Sequence, residues 1–516
     1  MTRNILARTG LLLATAIAGH MPAAHALECA RLAELKLPHT EITLAQEVAA
    51  GAFQPPKGIG ALGPPLPPDA YAHLPAFCRV AGIARPSADS DIRFEVWLPA
   101  AAHWNGKFVG TGNGVWAGSI GYFAMIEPLS QGYVTAATDD GHQGSPLDAG
   151  FAAGHPQKLL DFGYRGPHEM TVEAKSVLAA YYDKPASRAL FVSCSTGGRQ
   201  GLMEAYRYPD DYDGISSMAP ANPMVPLMVS SLWTGQAALK DPASYVPPPK
   251  FTLVHKAAVQ ACDADDGVRD GIISEPGRCG FDPAALLCKG ADAPDCLTAA
   301  QVATVRAIYR GPVNAATGKS IFPGFEPGSE TMFPLQTAGP EPFGAAFTFM
   351  RDLVFADPAW NFRSFDYDKD VSRALRAASA QLDVPAAGLD AFFATGRRKL
   401  LLSHGWADGL IPPRSTVNFY NELTAHLGSK AASARLFMIP GMGHCAGGEG
   451  PFVFNAIATL DRWVETGRAP ERIVVSNPPG APPRTRPLCP HPKVAVYSGS
   501  GSSDDEKNFT CRAPKT

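Results

Sequence analysis

Short apolar runs alternate with amphipathic segments in two stretches of this chain. The apolar runs predict strands at 94–99, 107–110, 132–138, 189–193, 399–403 and 434–439. The amphipathic segments predict helices at 169–182, 197–206, 415–427 and 453–466. Alternating strands and helices predict an α/β fold with a largely parallel sheet, on which ligands gather at the carboxyl ends of the strands.

The alternation fails between residues 222 and 394. This segment is rich in Pro, Gly and Asp and holds only short apolar pieces. We predict an inserted lid domain at 222–394, between a first core part at 27–221 and a second at 395–516. A chain of 516 residues is longer than a usual single domain, which agrees with a core and a large insertion.

The N-terminus has the composition of an export signal. Arg3 and Arg8 precede an apolar run at 9–18, and Ala24-His25-Ala26 matches a cleavage site. We therefore predict a signal peptide at 1–26 and a secreted or periplasmic protein. No later stretch has the ~20 apolar residues of a membrane-spanning helix, so we expect no membrane association.

Ten cysteines follow the predicted cleavage site. No two of them have the C-x2-C spacing of a zinc site, and an even number in an exported protein predicts five disulfides. The sequence alone leaves the connectivity open. Proximity favours Cys29 with Cys78, Cys262 with Cys279, Cys288 with Cys296 and Cys489 with Cys511, which leaves Cys194 for Cys445.

The charge distribution argues against one class of partner. The net charge is −3 and charged residues make up 18% of the chain, with no basic stripe. Binding to nucleic acid requires such a basic surface, so we expect no nucleic-acid partner.

Ser195 lies where a predicted strand turns directly into a predicted helix. A nucleophilic serine on such a turn needs small neighbours two positions away on each side, because the backbones come close there. Ser193 and Gly197 meet this requirement, although Ser193 replaces the first glycine of the G-x-S-x-G motif. The alternative is that Ser195 only caps a glycine-rich helix start.

Two later residues complete a catalytic triad in the chain order of an α/β-hydrolase. Asp408 follows the strand at 399–403, and His444 follows the strand at 434–439. In this hypothesis His444 takes the Ser195 proton and Asp408 orients the imidazole. The alternatives are a turn-forming Asp408 and a loop-filling His444. His404 is a rival base, which we interpret as a structural histidine because it directly follows the strand.

An oxyanion hole requires two backbone N–H groups that point at the developing negative charge. We predict one donor at Thr196, after the nucleophile, and the other at Gly114 or Val115 in the glycine-rich loop at 110–118. The alternative is that these glycines only permit close packing.

A loop after Cys262 concentrates carboxylates. Oxygen ligands at this density suit calcium, although the spacing is not that of an EF-hand. We predict a structural calcium site away from the ester chemistry, and the alternative is a solvated acidic turn. The predicted ligands are the side chains of Asp263, Asp266 and Asp270 and the carbonyls of Val268 and Ile272.

These motifs together resemble the tannase and feruloyl esterase family, which includes the mono(2-hydroxyethyl) terephthalate hydrolases. The resemblance covers nearly the whole mature chain. It rests on Cys194-Ser195, Asp408, His444-Cys445, the 263–270 loop, Trp104-Asn-Gly-Lys-Phe108, and the tail segments 484–490, 499–501 and 508–511. It implies an α/β-hydrolase core with a lid, a Cys194–Cys445 disulfide, calcium in the lid and hydrolysis of aromatic-acid esters.

The resemblance implies a small aromatic ester as substrate, and we predict feruloyl, hydroxycinnamoyl or galloyl esters. Terephthalate-monoester hydrolases carry Glu after the nucleophile and a lid Arg for the free carboxylate. Here Thr196 follows Ser195, and Arg351 serves that role or pairs on the surface. Candidate walls for the aryl ring are Phe343, Phe347, Phe349 and Trp360. Other hypotheses are a non-catalytic calcium-dependent binding protein and a peptidase or lipase on the same fold.

Overall fold

A nine-stranded sheet runs through the computed structural model of the protein, which describes residues 27–56 and 69–514. The signal peptide predicted at 1–26 lies outside the described residues. The strands of this sheet are β1 (Thr40–Val48), β2 (Phe77–Ala84), β3 (Ile92–Pro99), β4 (Lys107–Gly110), β5 (Val134–Thr138), β6 (Arg188–Cys194), β7 (Gly214–Met218), β8 (Lys399–Gly405) and β9 (Ala434–Ile439). Their spatial order is β1-β2-β3-β5-β4-β6-β7-β8-β9.

The six strands from β5 to β9 in this order are parallel, and β1, β2 and β3 join them as an antiparallel edge. The parallel part and its α/β character confirm the predicted fold class. The sequence pattern predicts neither β1 nor β2, and it also misses the central strand β7. Because β1 is an edge strand with mostly exposed or half-buried side chains, it has no continuous apolar run.

Helices cover both faces of the sheet. They are α1 (Ile126–Ser130), α2 (Pro156–Leu160), α3 (Gly166–Tyr182), α4 (Thr196–Arg207), α5 (Met224–Leu239), α6 (Pro248–Cys262), α7 (Ala299–Arg310), α8 (Pro334–Thr337), α9 (Gly344–Thr348), α10 (Asp370–Leu382), α11 (Asp390–Phe393), α12 (Arg414–Leu427) and α13 (Ala456–Thr466). Consecutive strand residues point to opposite faces. Phe191 and Leu400 pack in the cluster with α3, α4 and α12, whereas Leu190 and Leu401 pack in the cluster with α13.

The chain between β7 and β8 forms α5 to α11 and adds no strand to the sheet, and the structure describes all of it. Some of its apolar side chains share a buried cluster with side chains of the core. In that cluster Phe347 and Phe349 from this segment pack together with Trp116 and Phe162 from the core. The segment is therefore joined to the core by a continuous hydrophobic contact.

All five predicted disulfides form, four of them between the cysteines that proximity favours and the fifth between the two that are left over. They are Cys29–Cys78, Cys194–Cys445, Cys262–Cys279, Cys288–Cys296 and Cys489–Cys511. The last one ties together two C-terminal hairpins, formed by β10 (Ile473–Ser476) with β11 (Thr485–Leu488) and by β12 (Val494–Tyr497) with β13 (Phe509–Arg512). Within the described ranges, none of the helices has the length and apolar composition to cross a bilayer.

Candidate active site

Ser195 occupies a strained turn between β6 and α4. Its φ of 63° and ψ of −127° lie in a region that non-glycine residues rarely adopt. Gly197 permits this turn, since a Cβ atom there would lie 2.7 Å from the Cβ of Ser193. The turn is the predicted strand-to-helix elbow, which exposes the serine side chain above the sheet.

The structure brings Ser195, His444 and Asp408 into one chain of hydrogen bonds. The Ser195 Oγ lies 2.9 Å from His444 Nε2, and His444 Nδ1 lies 2.7 Å from Asp408 Oδ2. With the proton on Nδ1, His444 donates to Asp408 and accepts from the serine hydroxyl. This geometry is that of a nucleophile, a base and an orienting acid.

Asp408 is fully buried and remains a carboxylate. Burial alone would raise its pKa, but the charge of His444 and hydrogen bonds from His404 and His444 outweigh burial and hold the pKa below its ordinary value. The second oxygen, Oδ1, accepts the backbone N–H groups of Leu410 at 2.8 Å and Ile411 at 2.9 Å. A fixed negative charge therefore faces the imidazole of His444.

His404 supports the acid from the other side. Its Nε2 lies 3.0 Å from Asp408 Oδ2 and 3.2 Å from the Ile411 carbonyl, so this nitrogen carries the proton. Its Nδ1 accepts from the Thr416 hydroxyl at 2.7 Å. His404 is fully buried, and its hydrogen bonds hold it against Asp408 rather than against Ser195. This placement matches the interpretation as a structural histidine.

The Cys194–Cys445 disulfide links the residue before Ser195 to the residue after His444. Each cysteine is the direct chain neighbour of a residue in the hydrogen-bonded chain. The bond therefore limits how far the loop with His444 can move from the elbow.

The residues predicted for the oxyanion hole lie beside one another. Thr196 is the first residue of α4, where a backbone N–H has no acceptor within the helix. Its hydroxyl donates to the Val115 carbonyl at 2.7 Å, and Val115 has a positive φ of 49°. Gly114 is exposed and faces open space. The structure thus places the loop at 111–118 directly against the elbow.

The predicted calcium loop is tightly folded around its carboxylates. Asp263 Oδ1 accepts the N–H groups of residues 270, 271 and 272 at 3.0 to 3.2 Å. One oxygen of Asp270 pairs with Arg486. Burial raises the pKa of Asp266, and the charges of Asp270 and Asp263 act in the same direction. Oxygen donors with mutually repelling charges are the donor chemistry that fits a hard cation.

The loop predicted to bind calcium contacts the chain segment just before His444, and its separation from the ester chemistry stays a prediction. A Cβ atom at Gly441 would lie 3.1 Å from the Ile272 Cγ2, so Ile272 packs on the loop that carries His444. The reason is topological, because the segment between β7 and β8 folds back over the carboxyl ends of the strands.

An ion-pair cluster that the sequence does not predict connects α6 to the loop that carries His444. His255, on α6, places Nδ1 3.1 Å from the buried Glu330 and Nε2 3.0 Å from Glu449, which lies on the His444 loop. Burial acts to lower the pKa of His255, but the hydrogen bonds and charges of both glutamates outweigh it and raise the pKa to about 10. No local pattern links positions so far apart in the chain.

The aromatic residues proposed as acyl walls are largely core residues. Phe349 is fully buried and stacks on Trp116 with ring centroids 5.7 Å apart, and Phe347 contacts Trp360 at 5.8 Å. Phe343 is half-buried. The Trp116 indole N–H donates to the Ala345 carbonyl on α9 at 3.0 Å.

Arg351 forms a two-point ion pair with its neighbour Asp352. The donor–acceptor distances are 2.7 and 2.8 Å. In the structure Arg351 thus forms an ion pair within the protein, which was the alternative to binding a substrate carboxylate.

Comparison with known proteins identifies the family. The model of the family "Tannase and feruloyl esterase" matches residues 78–512. The chain is 38% identical to an uncharacterized esterase of Xanthomonas campestris pv. campestris, over 98% of this chain and 93% of that protein. It is 34% identical to the mono(2-hydroxyethyl) terephthalate hydrolase of Piscinibacter sakaiensis, over 86% of each chain. The crystal structure of feruloyl esterase B from Aspergillus oryzae superposes with a TM-score of 0.85 at 28% identity, over 94% of this chain and 99% of that one. The chain therefore belongs to the tannase and feruloyl esterase family and is an esterase of that family.

Proposed function

We propose that this esterase is an exported serine hydrolase that cleaves feruloyl, hydroxycinnamoyl or galloyl esters through an acyl-enzyme. The observation that carries the proposal is the hydrogen-bonded chain from Ser195 through His444 to the buried Asp408 carboxylate. Five disulfides and the predicted signal peptide support export, because such bonds persist in oxidising compartments.

In the first half of the reaction His444 Nε2 accepts the Ser195 proton while Oγ attacks the ester carbonyl carbon. The carbonyl oxygen becomes an oxyanion, which the N–H groups of Thr196 and of Val115 or Gly114 stabilise. The intermediate then collapses, and His444 gives the proton to the leaving alcohol oxygen. Asp408 stabilises the imidazolium that exists between these two transfers.

The second half releases the acid. Water gives a proton to His444 Nε2 and attacks the acyl carbon, and a second oxyanion forms at the same donors. Its collapse breaks the bond to Ser195 Oγ, which recovers the proton from His444. The products are the aromatic acid and the free enzyme.

The aromatic acyl group is supported by the names of the relatives, which include a feruloyl esterase B and a terephthalate-monoester hydrolase. Two observations favour phenolic acids without a second carboxylate. Thr196 stands after the nucleophile, and Arg351 is occupied by Asp352. We propose that residues 222–394 act as a lid that holds the acyl group over Ser195.

We also propose a structural calcium ion in the loop after Cys262. The ligands would be the carboxylates of Asp263, Asp266 and Asp270 and the carbonyls of Val268 and Ile272. The ion would neutralise the clustered carboxylates and so hold the loop in shape against Gly441.

Two measurements test the proposed function. A fluorophosphonate should label the wild-type protein and the control Ser176→Ala, whose hydroxyl makes an exposed hydrogen bond to the Val172 carbonyl on α3, but not Ser195→Ala. Purified enzyme should also release acid from methyl ferulate or methyl gallate faster than from the terephthalate monoester or an alkyl ester. Absence of labelling, or activity on alkyl esters alone, would contradict the proposal.

A further inference from the structure

The loop at 111–118 is attached to the nucleophile elbow by a row of short polar contacts. One predicted oxyanion donor, the Thr196 N–H, lies at the elbow, and the other, at Gly114 or Val115, lies in this loop. The contacts between loop and elbow therefore set the distance between the two donors. The hydrogen bonds run from Gly112 N–H to Ser193 Oγ at 3.2 Å, from Asn113 N–H to Gln200 Oε1 at 3.0 Å, from Gly197 N–H to the Asn113 carbonyl at 2.8 Å, and from Thr196 Oγ1 to the Val115 carbonyl at 2.7 Å.

Gln200 is held from a second side as well as by its contact with Asn113. It lies one turn into α4 and is fully buried. Its Oε1 accepts the Asn113 N–H, and its Nε2 donates to Asp140 Oδ2 at 2.6 Å. An amide has one accepting and one donating end, so the Asn113 N–H takes the oxygen and Asp140 Oδ2 accepts from the nitrogen, and both contacts set the same orientation of the amide.

The neighbouring atoms leave no room for another arrangement. A Cβ atom at Gly112 would lie 2.6 Å from Gly197 Cα and would also overlap the Gln200 amide oxygen. Asn113 is further fixed by its own side chain, which donates to the Ser119 carbonyl at 3.0 Å and the Thr138 carbonyl at 2.8 Å. The loop therefore has one register on α4, with the Gln200 amide at the point of contact.

We propose that Gln200, oriented by Asp140, is a positioning residue for the oxyanion hole. It holds the Asn113 backbone, and through it the N–H groups of Gly114 and Val115, at a fixed distance from the Thr196 N–H. Gln200 does not touch the substrate. This role rests on the proposed ester hydrolysis, and it predicts that the tetrahedral intermediate depends on Gln200 more than substrate binding does.

The first test is Gln200→Met, which keeps the length of the side chain and removes both hydrogen bonds. Since loss of one oxyanion donor lowers kcat about 10²–10³-fold, displacement of one should lower kcat by about 10-fold or more, with KM changed less than about 3-fold. Affinity for an arylboronic acid, which forms a tetrahedral adduct on the serine, should fall with kcat. Gln131→Met, at a partly exposed glutamine, is the matched control and should leave all three values unchanged.

The second test is Gln200→Glu, which also decides the matter if Gln200→Met does not fold. The introduced carboxyl group would still accept from Asn113, and a proton shared with Asp140 would replace the lost donor. Burial and the charge of Asp139 raise the pKa of Asp140, with Asp161 acting in the same direction and Arg199 against it, so the shared proton is lost at alkaline pH, where the ratio of variant to wild-type kcat should fall. A merely structural role for Gln200 would change the unfolding midpoint without this pH dependence.

Three results would overturn the proposal. The first is an unchanged kcat in folded Gln200→Met. The second is a loss of kcat/KM in this variant that comes entirely from a higher KM. The third is a ratio of Gln200→Glu kcat to wild-type kcat that does not change with pH. Failure of the proposed function itself is distinguishable, because it would appear in the wild-type enzyme as absent Ser195 labelling or absent ester hydrolysis.

Discussion

His255 allows a quantitative test of how the segment between β7 and β8 is attached to the His444 loop. The change is His255→Gln, which keeps a polar side chain but cannot carry a positive charge. It leaves the buried Glu330 carboxylate and the half-exposed Glu449 without their shared cation. We expect a loss of stability that depends on pH in a specific direction.

The magnitude follows from the pKa. A rise from 6.5 to about 10 corresponds to about 4 to 5 kcal/mol in favour of the charged form, at about 1.36 kcal/mol per pKa unit. Glu449 is 46% exposed and therefore screened by water, so its share is small. Since breaking a buried ion pair costs about 3 to 5 kcal/mol, we expect His255→Gln to lower the free energy of unfolding by about 3 kcal/mol at about pH 6.

The sign of the pH dependence is fixed by the direction of the shift. Because the pKa of His255 is higher in the folded state, its contribution is complete below pH 6.5 and is lost as the pH rises to about 10. The difference between wild type and variant should therefore shrink by up to about 1.4 kcal/mol per pH unit above 6.5.

The assay is urea unfolding with the disulfides intact, followed by tryptophan fluorescence at about pH 6, 7.5 and 9. The control is His426→Gln, since His426 forms an exposed pair with Asp390 at 3.0 Å and should contribute less than about 1 kcal/mol. A destabilisation by His255→Gln that is constant with pH, or equal to that of the control, would refute this account of the cluster.

Three further predictions concern the site. The double variant Cys194→Ala/Cys445→Ala should have a lower kcat in ester kinetics, with a smaller change in calcium affinity measured by calorimetry. An unchanged kcat would show that catalysis does not need the disulfide. Asp408→Asn should lower kcat by about 10⁴-fold while the circular dichroism spectrum stays native, because the imidazole loses its orienting charge. Chelation of calcium should lower the thermal unfolding midpoint of wild type but not of Asp263→Asn. Equal shifts in the two proteins would contradict a calcium site in this loop.

The sequence predicts the parts of the site that are marked by neighbouring residues or by the order of residues along the chain. Ser195 is predictable because its elbow needs small residues at 193 and 197, and these lie within the same five-residue segment. Asp408 and His444 are predictable because each follows a late strand in the expected order. The cysteine pairs follow from proximity and even number.

The parts that the sequence does not predict depend on contacts between distant segments. The roles of Gln200 and His255 come from partners in other loops, Asn113 with Asp140 and Glu330 with Glu449, and no periodicity connects them. The position of the calcium loop beside Gly441 has the same origin. Strand β1 escapes prediction for a different reason, because its exposed edge position removes the apolar run that marks buried strands.

The hydrogen bond from the Trp116 indole to the Ala345 carbonyl has a consequence for the engineering of this enzyme. One way to test the proposed lid is to exchange residues 222–394 for the corresponding segment of a relative. In this protein such a chimera would also replace the backbone acceptor for Trp116, which lies next to Val115 in the loop at 111–118. A graft that keeps the start of α9 and the Phe349 ring should retain the geometry above Ser195. On the proposed role of residues 222–394 as a lid, grafts that begin after this point should change the substrate preference while Trp116 keeps its contacts.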